Sequence, residues 1–435
     1  MLRPTRPALR PAIHVSPARG WLNDPNGLCR HRGVWHAFYQ HDPNTDTHGR
    51  MHWGHATSTD LIRWRDQPVA LAPDDLGEIY SGSVVIDEDD TAGFGAGALV
   101  AVFTHHFVED GRQVQRQSLA FSLDGGTSWD TFGGNPVLES SEPDFRDPKV
   151  FRFAPSGDAA WVMVLAVGDV VQFFRSPDLR AWEQAGSYRL PVESTHPLEC
   201  ADLLRLDDPT DPAWLLTVAL VDVGPFGHSG TVGVIGDFDG SRFTPRSAPW
   251  SIDHGPDFYA AQSFSGVAGA PVIMGWLNSW RYAKLLPSLG RRGTLSLPRR
   301  IERANAPGAA PITVRPAVEL RGAPVDPPHW TSVPGRALTV AADGDVRVRI
   351  VGGHGDVATL SIDDHGLLLE RQGEVPHFAQ SYRAPITLHR DHLVVIDHGT
   401  LEVFASGGAS VTSALVLTGR DWSVEVEGDA TLVEV

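Results

Sequence analysis

Two cysteines, Cys29 and Cys200, are all that the 435 residues contain, too few for a disulfide framework to carry the fold. Cations are short too: 36 Lys and Arg stand against 53 Asp and Glu, giving a net charge of −17. That balance disfavours nucleic acid or an anionic membrane as partner, because both are held by clustered cations; a neutral ligand fits better. No apolar run is long enough to span a bilayer, and the opening stretch MLRPTRPALRPAIHVSPARG is basic, broken by prolines and without a signal-peptide core. The chain as given is therefore expected in the cytoplasm, or outside the cell if a leader preceded it. Helix-forming runs are scarce. In their place 44 Gly, 33 Pro and 13 Trp punctuate short runs of Val, Leu, Phe and Thr of strand length. This is an all-β composition, and the length allows one large domain and a smaller one.

A repeat organises the first three hundred residues. STDLIRW (Ser58 to Trp64), SLDGGTSW (Ser122 to Trp129), SPDLRAW (Ser176 to Trp182) and GDFDGSRF (Gly236 to Phe243) each follow a strand-like run. Each sets an Asp in a polar turn and an aromatic shortly after it. The Asp is expected to cap its own turn and the aromatic to pack between neighbouring sheets. A period of this size marks propeller blades. At another fixed phase stand Asp24 in LNDPNGL, Ser81 in YSGSVVI, Asp147 in FRDPKVF, Glu199 in LECADLL and Asp257 in DFYAAQSF. The first strand of each blade lines the central channel, so these groups are expected to converge on the axis, and four of the five are carboxylates.

Carboxylates brought to one pocket repel one another and shift one another's proton affinity, which packing alone does not call for. The NDPNG segment reads as a turn already shaped by Pro25 and Gly27, leaving Asp24 and its flanking amides free for another use. Cleaving a glycosidic bond takes one ionised carboxylate and one protonated carboxyl group. Asp24, among amide donors, is expected to stay ionised and act as nucleophile. Glu199, between Leu198 and Cys200, is expected in drier surroundings that raise its pKa, as acid/base. Asp147, beside Arg146, is expected to stay ionised and offset developing positive charge. Trp276, Trp280 and Tyr282 offer sugar platforms. No metal or cofactor is expected: the pairs His52/His55 and His105/His106 lack the helix and glutamate of a metalloprotease motif.

With these residues assembled, the chain from about Ile13 onward resembles glycoside hydrolase family 32, the β-fructofuranosidases. WLNDPNG is similar to the family's Trp-Met-Asn-Asp-Pro-Asn-Gly signature, FRDPKVF holds its Arg-Asp-Pro triplet, and LEC its Glu-Cys pair. FYQ, WGHATSTD, YSGS and GPDFYAAQSF support the match. The resemblance implies a five-bladed β-propeller followed by a C-terminal antiparallel β-sandwich, and retention of configuration. It gives Asp24, Glu199 and Asp147 the roles just derived, and it places Asn23, Gln40, Trp53, Ser83 and Arg146 in a fructose subsite. Tyr80, Cys200, Asp257, Tyr259 and Trp280 join the candidate binding set through the same motifs. Two positions depart from the pattern: His48 stands where the family usually has a tryptophan, and Ala201 where proline often follows Glu-Cys. His48 is expected at the pocket entrance, titrating near neutrality.

The propeller is expected over residues 1–301, a linker over 302–311 and the sandwich over 312–435, where alternating runs such as HLVVIDHGTLEVFA suggest sheets with one solvated face each. The substrate expected is a fructose-containing oligosaccharide or polysaccharide: sucrose, a fructo-oligosaccharide, inulin or levan. The alternatives are a fructosyltransferase or linkage-specific hydrolase of the same fold, a sialidase-like or inverting propeller, and a non-catalytic sugar-binding propeller.

Overall fold

The computed structural model describes residues 10–154, 159–206, 211–222, 227–304, 311–326, 329–333, 335–352, 355–386, 390–417 and 421–435. Five antiparallel sheets succeed one another as blades I to V. Their innermost strands are Gly20–His31, Glu78–Asp87, Phe145–Phe153, Glu199–Leu206 and Tyr259–Ser263. Each innermost strand touches the next and the fifth touches the first, which closes the ring. Closure is reinforced by Arg291–Arg292, returning from blade V to pair in parallel with Gly20 and Trp21.

The four polar turns behave as their sequences suggest. Asp60 accepts from the backbone N–H groups of Ile62 and Arg63, Asp124 from Thr127 and Ser128, Asp178 from Arg180 and Ala181, and Asp239 from Ser241 and Arg242. Two of the aromatics that follow bridge blades: Trp129 of blade II meets Phe38 of blade I edge-on at 5.5 Å, and Phe243 of blade IV meets Tyr188 of blade III at 5.1 Å. Such contacts hold adjacent twisted sheets at a fixed angle.

The segment 302–311 is not a linker between domains. Arg299–Arg303 and Ile312–Pro316 form an antiparallel pair, Glu302 opposite Thr313 and Arg303 opposite Ile312, so the second strand is the outer edge of blade V. Residues 305–310 within that stretch lie outside the described residues. Pro and Gly content alone does not separate a connection within a blade from one between domains.

Beyond blade V the described residues build one ten-stranded sheet folded over itself. Two long strands, Leu338–Gly352 and Trp422–Glu434, pair along their length. The first half of Leu338–Gly352 also pairs with His392–Asp397, and its second half with Gly355–Asp363. The register breaks between Ala342 and Val346, where the long pair bends from one layer into the other. Val340, Val348, Leu360, Leu369, Val394, Val403 and Val424 fill the space between the layers.

The propeller meets this domain through Leu204, Ile252 and Phe258, which pack with Val395, Phe404 and Val411, and through a buried polar network. Arg299 of blade V reaches Asp253 and Glu402. His14 lies between Asp397 and Glu402, its Nδ1 and Nε2 each 2.8 Å from a carboxylate oxygen. All three of those side chains are fully buried. Asp397 also accepts from the N–H groups of Ala12 and Ile13 and so ties down the approach to blade I.

Candidate active site

Every innermost strand loses register at the same end. The breaks fall between Leu22 and Pro25 and between Asn26 and Cys29 in blade I, Ile79 and Gly82 in II, Arg146 and Lys149 in III, Glu199 and Asp202 in IV, and Tyr259 and Gln262 in V. A bulge leaves a residue unpaired and re-aims its side chain. The NDPNG segment is thus no turn: it lies inside the strand Gly20–His31 and supplies its bulges. Pro25 has no N–H to give the ladder. Gly27 has φ +54°, and a Cβ there would come within 2.8 Å of Phe38 and 2.9 Å of Val84.

In blades III to V the residue just ahead of the bulge is Arg146, Glu199 and Tyr259, and these three meet. Arg146 Nη2 donates to Glu199 Oε1 at 3.0 Å, and the Tyr259 hydroxyl donates to Glu199 Oε2. The next residues, Asp147, Cys200 and Ala260, have φ of +65°, +48° and +54°, a conformation that costs an L-residue about 1–2 kcal/mol. It turns Asp147 toward blade IV, where the Cys200 N–H donates to Asp147 Oδ2 at 2.9 Å. The Cys200 thiol lies 3.6 Å from both Asp147 Oδ2 and Asp24 Oδ2. Ser81 completes the cluster, donating to Asp24 Oδ2 at 3.1 Å. All five blades contribute.

Burial pushes the Asp24 carboxyl up to about 7, helped by the charges of Glu199 and Asp147 and opposed by Asn23 and Ser81. Burial likewise raises Asp147 to about 6, with Arg146 pulling it down and Glu199 pushing it up. The expectation that amide donors and Arg146 would keep these two fully ionised is therefore corrected, because desolvation of a carboxylate at a closed channel end outweighs a few donors. The surroundings expected for Glu199 are corrected as well. Its side chain is 21% exposed and carries a guanidinium on one oxygen and a phenol on the other.

An aromatic rim surrounds the carboxyl groups. Trp280 stacks on Trp21 with centroids 6.1 Å apart, His48 stands edge-on to Trp280 at 5.6 Å, and Tyr80 stacks on His106 at 4.1 Å. The Trp21 indole N–H donates to Asn23 Oδ1 at 2.7 Å. His48 sits in this rim as expected, but burial and Lys284 lower its pKa to about 4, so it does not titrate near neutrality.

Several candidates stand elsewhere. Ser83 is spent on blade III, donating to Pro148 O and accepting from Val150 N, both at 2.9 Å; Ser81, two residues earlier, takes the pocket position. Asp257 is fully buried and bonds Tyr282 and Arg371 at the domain interface. It precedes the strand, and Tyr259, not Asp257, holds the phase of Glu199. Tyr282 and Trp276 are fully buried and offer no platform. Gln40 and Trp53 lie behind the pocket and fix its blade II wall, donating to Ile79 O and Tyr80 O, each at 3.0 Å. Ser81 was missing from the candidate binding set, although it shares the phase of the carboxylates; Trp21, fully buried, backs Trp280 from below.

A five-bladed propeller with three carboxyl groups gathered at one end of its channel defines a carbohydrate-processing class, in which paired carboxyls act on a glycosidic bond. The chain matches the Glycosyl hydrolases family 32 N-terminal domain over residues 14–310 and belongs to that family. It is 39% identical over 307 residues to a levanase of Bacillus subtilis, covering 67% of this chain and 44% of that one. It is 36% identical over 307 residues to an invertase of Debaryomyces hansenii, covering 67% and 56%. The chain thus spans about half the length of these curated relatives. The crystal structure of an exo-inulinase from Aspergillus awamori superposes with a TM-score of 0.84 at 26% identity, covering 99% of this chain and 98% of that one. The propeller-plus-sandwich architecture is therefore shared over the whole chain.

Proposed function

We propose that the protein is a retaining, exo-acting β-fructofuranosidase that removes terminal β-D-fructofuranosyl residues from sucrose, fructo-oligosaccharides or fructans. The observation that carries this reading is the pairing of Asp24 with Glu199 in one pocket with unlike partners. Asp24 has Ser81 and the Cys200 thiol on Oδ2 and lies within the fields of Glu199 and Asp147. Glu199 is oriented by Arg146 and Tyr259, as a group that must deliver a proton along one direction. Exo-action is supported by the likeness to an exo-inulinase; below the pocket Lys149 and Asp202 join blades III and IV by a buried ion pair at 3.1 Å.

In the first step the Asp24 carboxylate bonds to the fructosyl C2 while the C2–O bond to the leaving group breaks, and the Glu199 proton passes to the leaving oxygen. Asp147 and Asp24 face the positive charge that develops on the ring. In the second step water attacks C2, its proton returns to Glu199 and Asp24 is released. The form with Asp24 ionised and Glu199 protonated is the productive one.

The test uses sucrose and an activated fructoside. Asp24→Asn should abolish turnover of both. Glu199→Gln should impair the activated substrate least, and azide should restore its turnover with β-fructosyl azide as product. Rescue with β-azide in Asp24→Asn alone would reverse the two roles. A wild-type protein that releases no fructose from sucrose, kestose, inulin or levan would overturn the reading.

A further inference from the structure

Arg371 of the C-terminal domain ties together two segments that enter the pocket, one of which, at Asp257, also accepts from the Leu415 N–H at 2.8 Å and donates to Ser413 O. Arg371 ends the strand Gly366–Arg371 and is buried in the interface with the propeller. Its Nη1 donates to Asp257 Oδ2 and its Nη2 to the Tyr282 hydroxyl, both at 2.6 Å, while Nε donates to Phe378 O at 2.7 Å. The guanidinium also lies over the rings of Phe378 and Tyr282, 4.0 and 5.0 Å from their centroids. Tyr282 in turn donates to Asp257 Oδ1, which links the two segments.

Each segment continues directly into the site. Two residues past Asp257, Tyr259 donates to Glu199. Two residues before Tyr282, Trp280 stacks on Trp21 in the rim. The turn between Ser279 and Leu286 is wound tightly, with the N–H groups of Tyr282 and Ala283 returning to Ser279 O and that of Leu286 to Tyr282 O, so a shift of Tyr282 is passed to Trp280. A fully buried ion pair contributes little net stability, because desolvation offsets the attraction. What it does supply is a fixed geometry.

Resting on the fructosidase reading above, we infer that Arg371 is a positioning residue of the active site: it sets the Trp280 wall through Tyr282 and the hydroxyl on Glu199 through Asp257 and Tyr259. The C-terminal domain is then a working part of substrate recognition and not only a packing support.

Initial rates on sucrose and 1-kestose separate the two routes. Tyr282→Phe keeps the ring under the guanidinium and the Arg371–Asp257 pair, and removes only the hydroxyl. It should raise KM about tenfold with kcat unchanged, the size expected of a displacement of under an ångström. Arg371→Lys should raise KM and also lower kcat, because both segments move. Val424→Ala, in the sandwich core away from the clamp, matches them as a stability control and should leave KM and kcat as they are. Tyr282→Phe carries the test alone if Arg371→Lys does not fold. An unchanged KM in Tyr282→Phe, or the same KM rise in Val424→Ala, overturns the inference. An inactive wild-type protein would instead overturn the fructosidase reading.

Discussion

His14 is the strongest single test of how the two domains are joined. It lies between Asp397 and Glu402 with both ring nitrogens bonded and no exposed surface. Burial works against its charge, but the hydrogen bonds to Asp397 and Glu402 outweigh this and push its pKa from 6.5 to about 9. The sign follows from linkage. A group whose pKa is raised on folding contributes stability that is fully present below its unfolded value, near 6.5, and is lost as the pH climbs through about 9. A rise of this size corresponds to about 3 kcal/mol.

His14→Ala would leave Asp397 with the N–H groups of Ala12, Ile13 and His398, and Glu402 with Arg299 and the Leu297 N–H. Both carboxylates thus keep partners, so the loss should stay near about 3 kcal/mol and not reach the upper range for breaking a buried pair. Urea unfolding followed by tryptophan fluorescence, run on both proteins from pH 6 to pH 10, measures it. The gap should be widest at pH 6, narrow from about pH 6.5 to about pH 9 and level off above that. A gap under about 1 kcal/mol at pH 6, or one that does not change with pH, would refute the charged bridge.

Other outcomes follow from the pocket. Asp24 must be ionised to attack, and with its pKa raised to about 7 the acid limb of kcat/KM should lie near neutrality; Ser81→Ala, which removes a donor to the carboxylate, should move that limb upward in a pH–rate profile. Ser83→Ala should lower the unfolding free energy by about 1–2 kcal/mol, through the lost tie between blades II and III, while KM for sucrose stays unchanged. His48→Trp should alter KM for sucrose but leave the shape of the profile between pH 5.5 and 8 unchanged, since the imidazole is already neutral there.

The blades were legible because their signal is local. An Asp that caps its own turn and an aromatic a few residues on are both decided by neighbouring residues, and four copies reinforce one another. The carboxyl cluster was legible through the same periodicity. The sequence did not show how far each side chain is rotated at its bulge. That rotation puts Tyr259 in phase with Glu199 and Ser81 beside Asp24, while Ser83 and Asp257 serve blade III and the interface. Bulge position depends on pairing with the adjacent strand, and a one-residue change redirects a side chain. Proton affinities were misjudged for a related reason: the donors beside Asp24 are visible in its own motif, whereas the four other blades that desolvate it are not. The stretch 302–311 reads as a linker by composition, whereas the pairing of Arg299–Arg303 with Ile312–Pro316 puts both its flanks in blade V.

The parallel pairing of Gly20 and Trp21 with Arg291 and Arg292 also fixes an order of events during synthesis. Blade I cannot complete its inner edge until some 270 further residues have left the ribosome. At roughly 5–20 residues per second that is a wait of about 13–55 s. Meanwhile Gly20–His31, which carries Asp24 and is almost wholly buried in the finished ring, stands as an open edge. Such an edge is a template for pairing with another chain. Pro25 and the two register breaks interrupt it, so the bulges that aim Asp24 also make the waiting strand a poor partner for a neighbouring nascent chain.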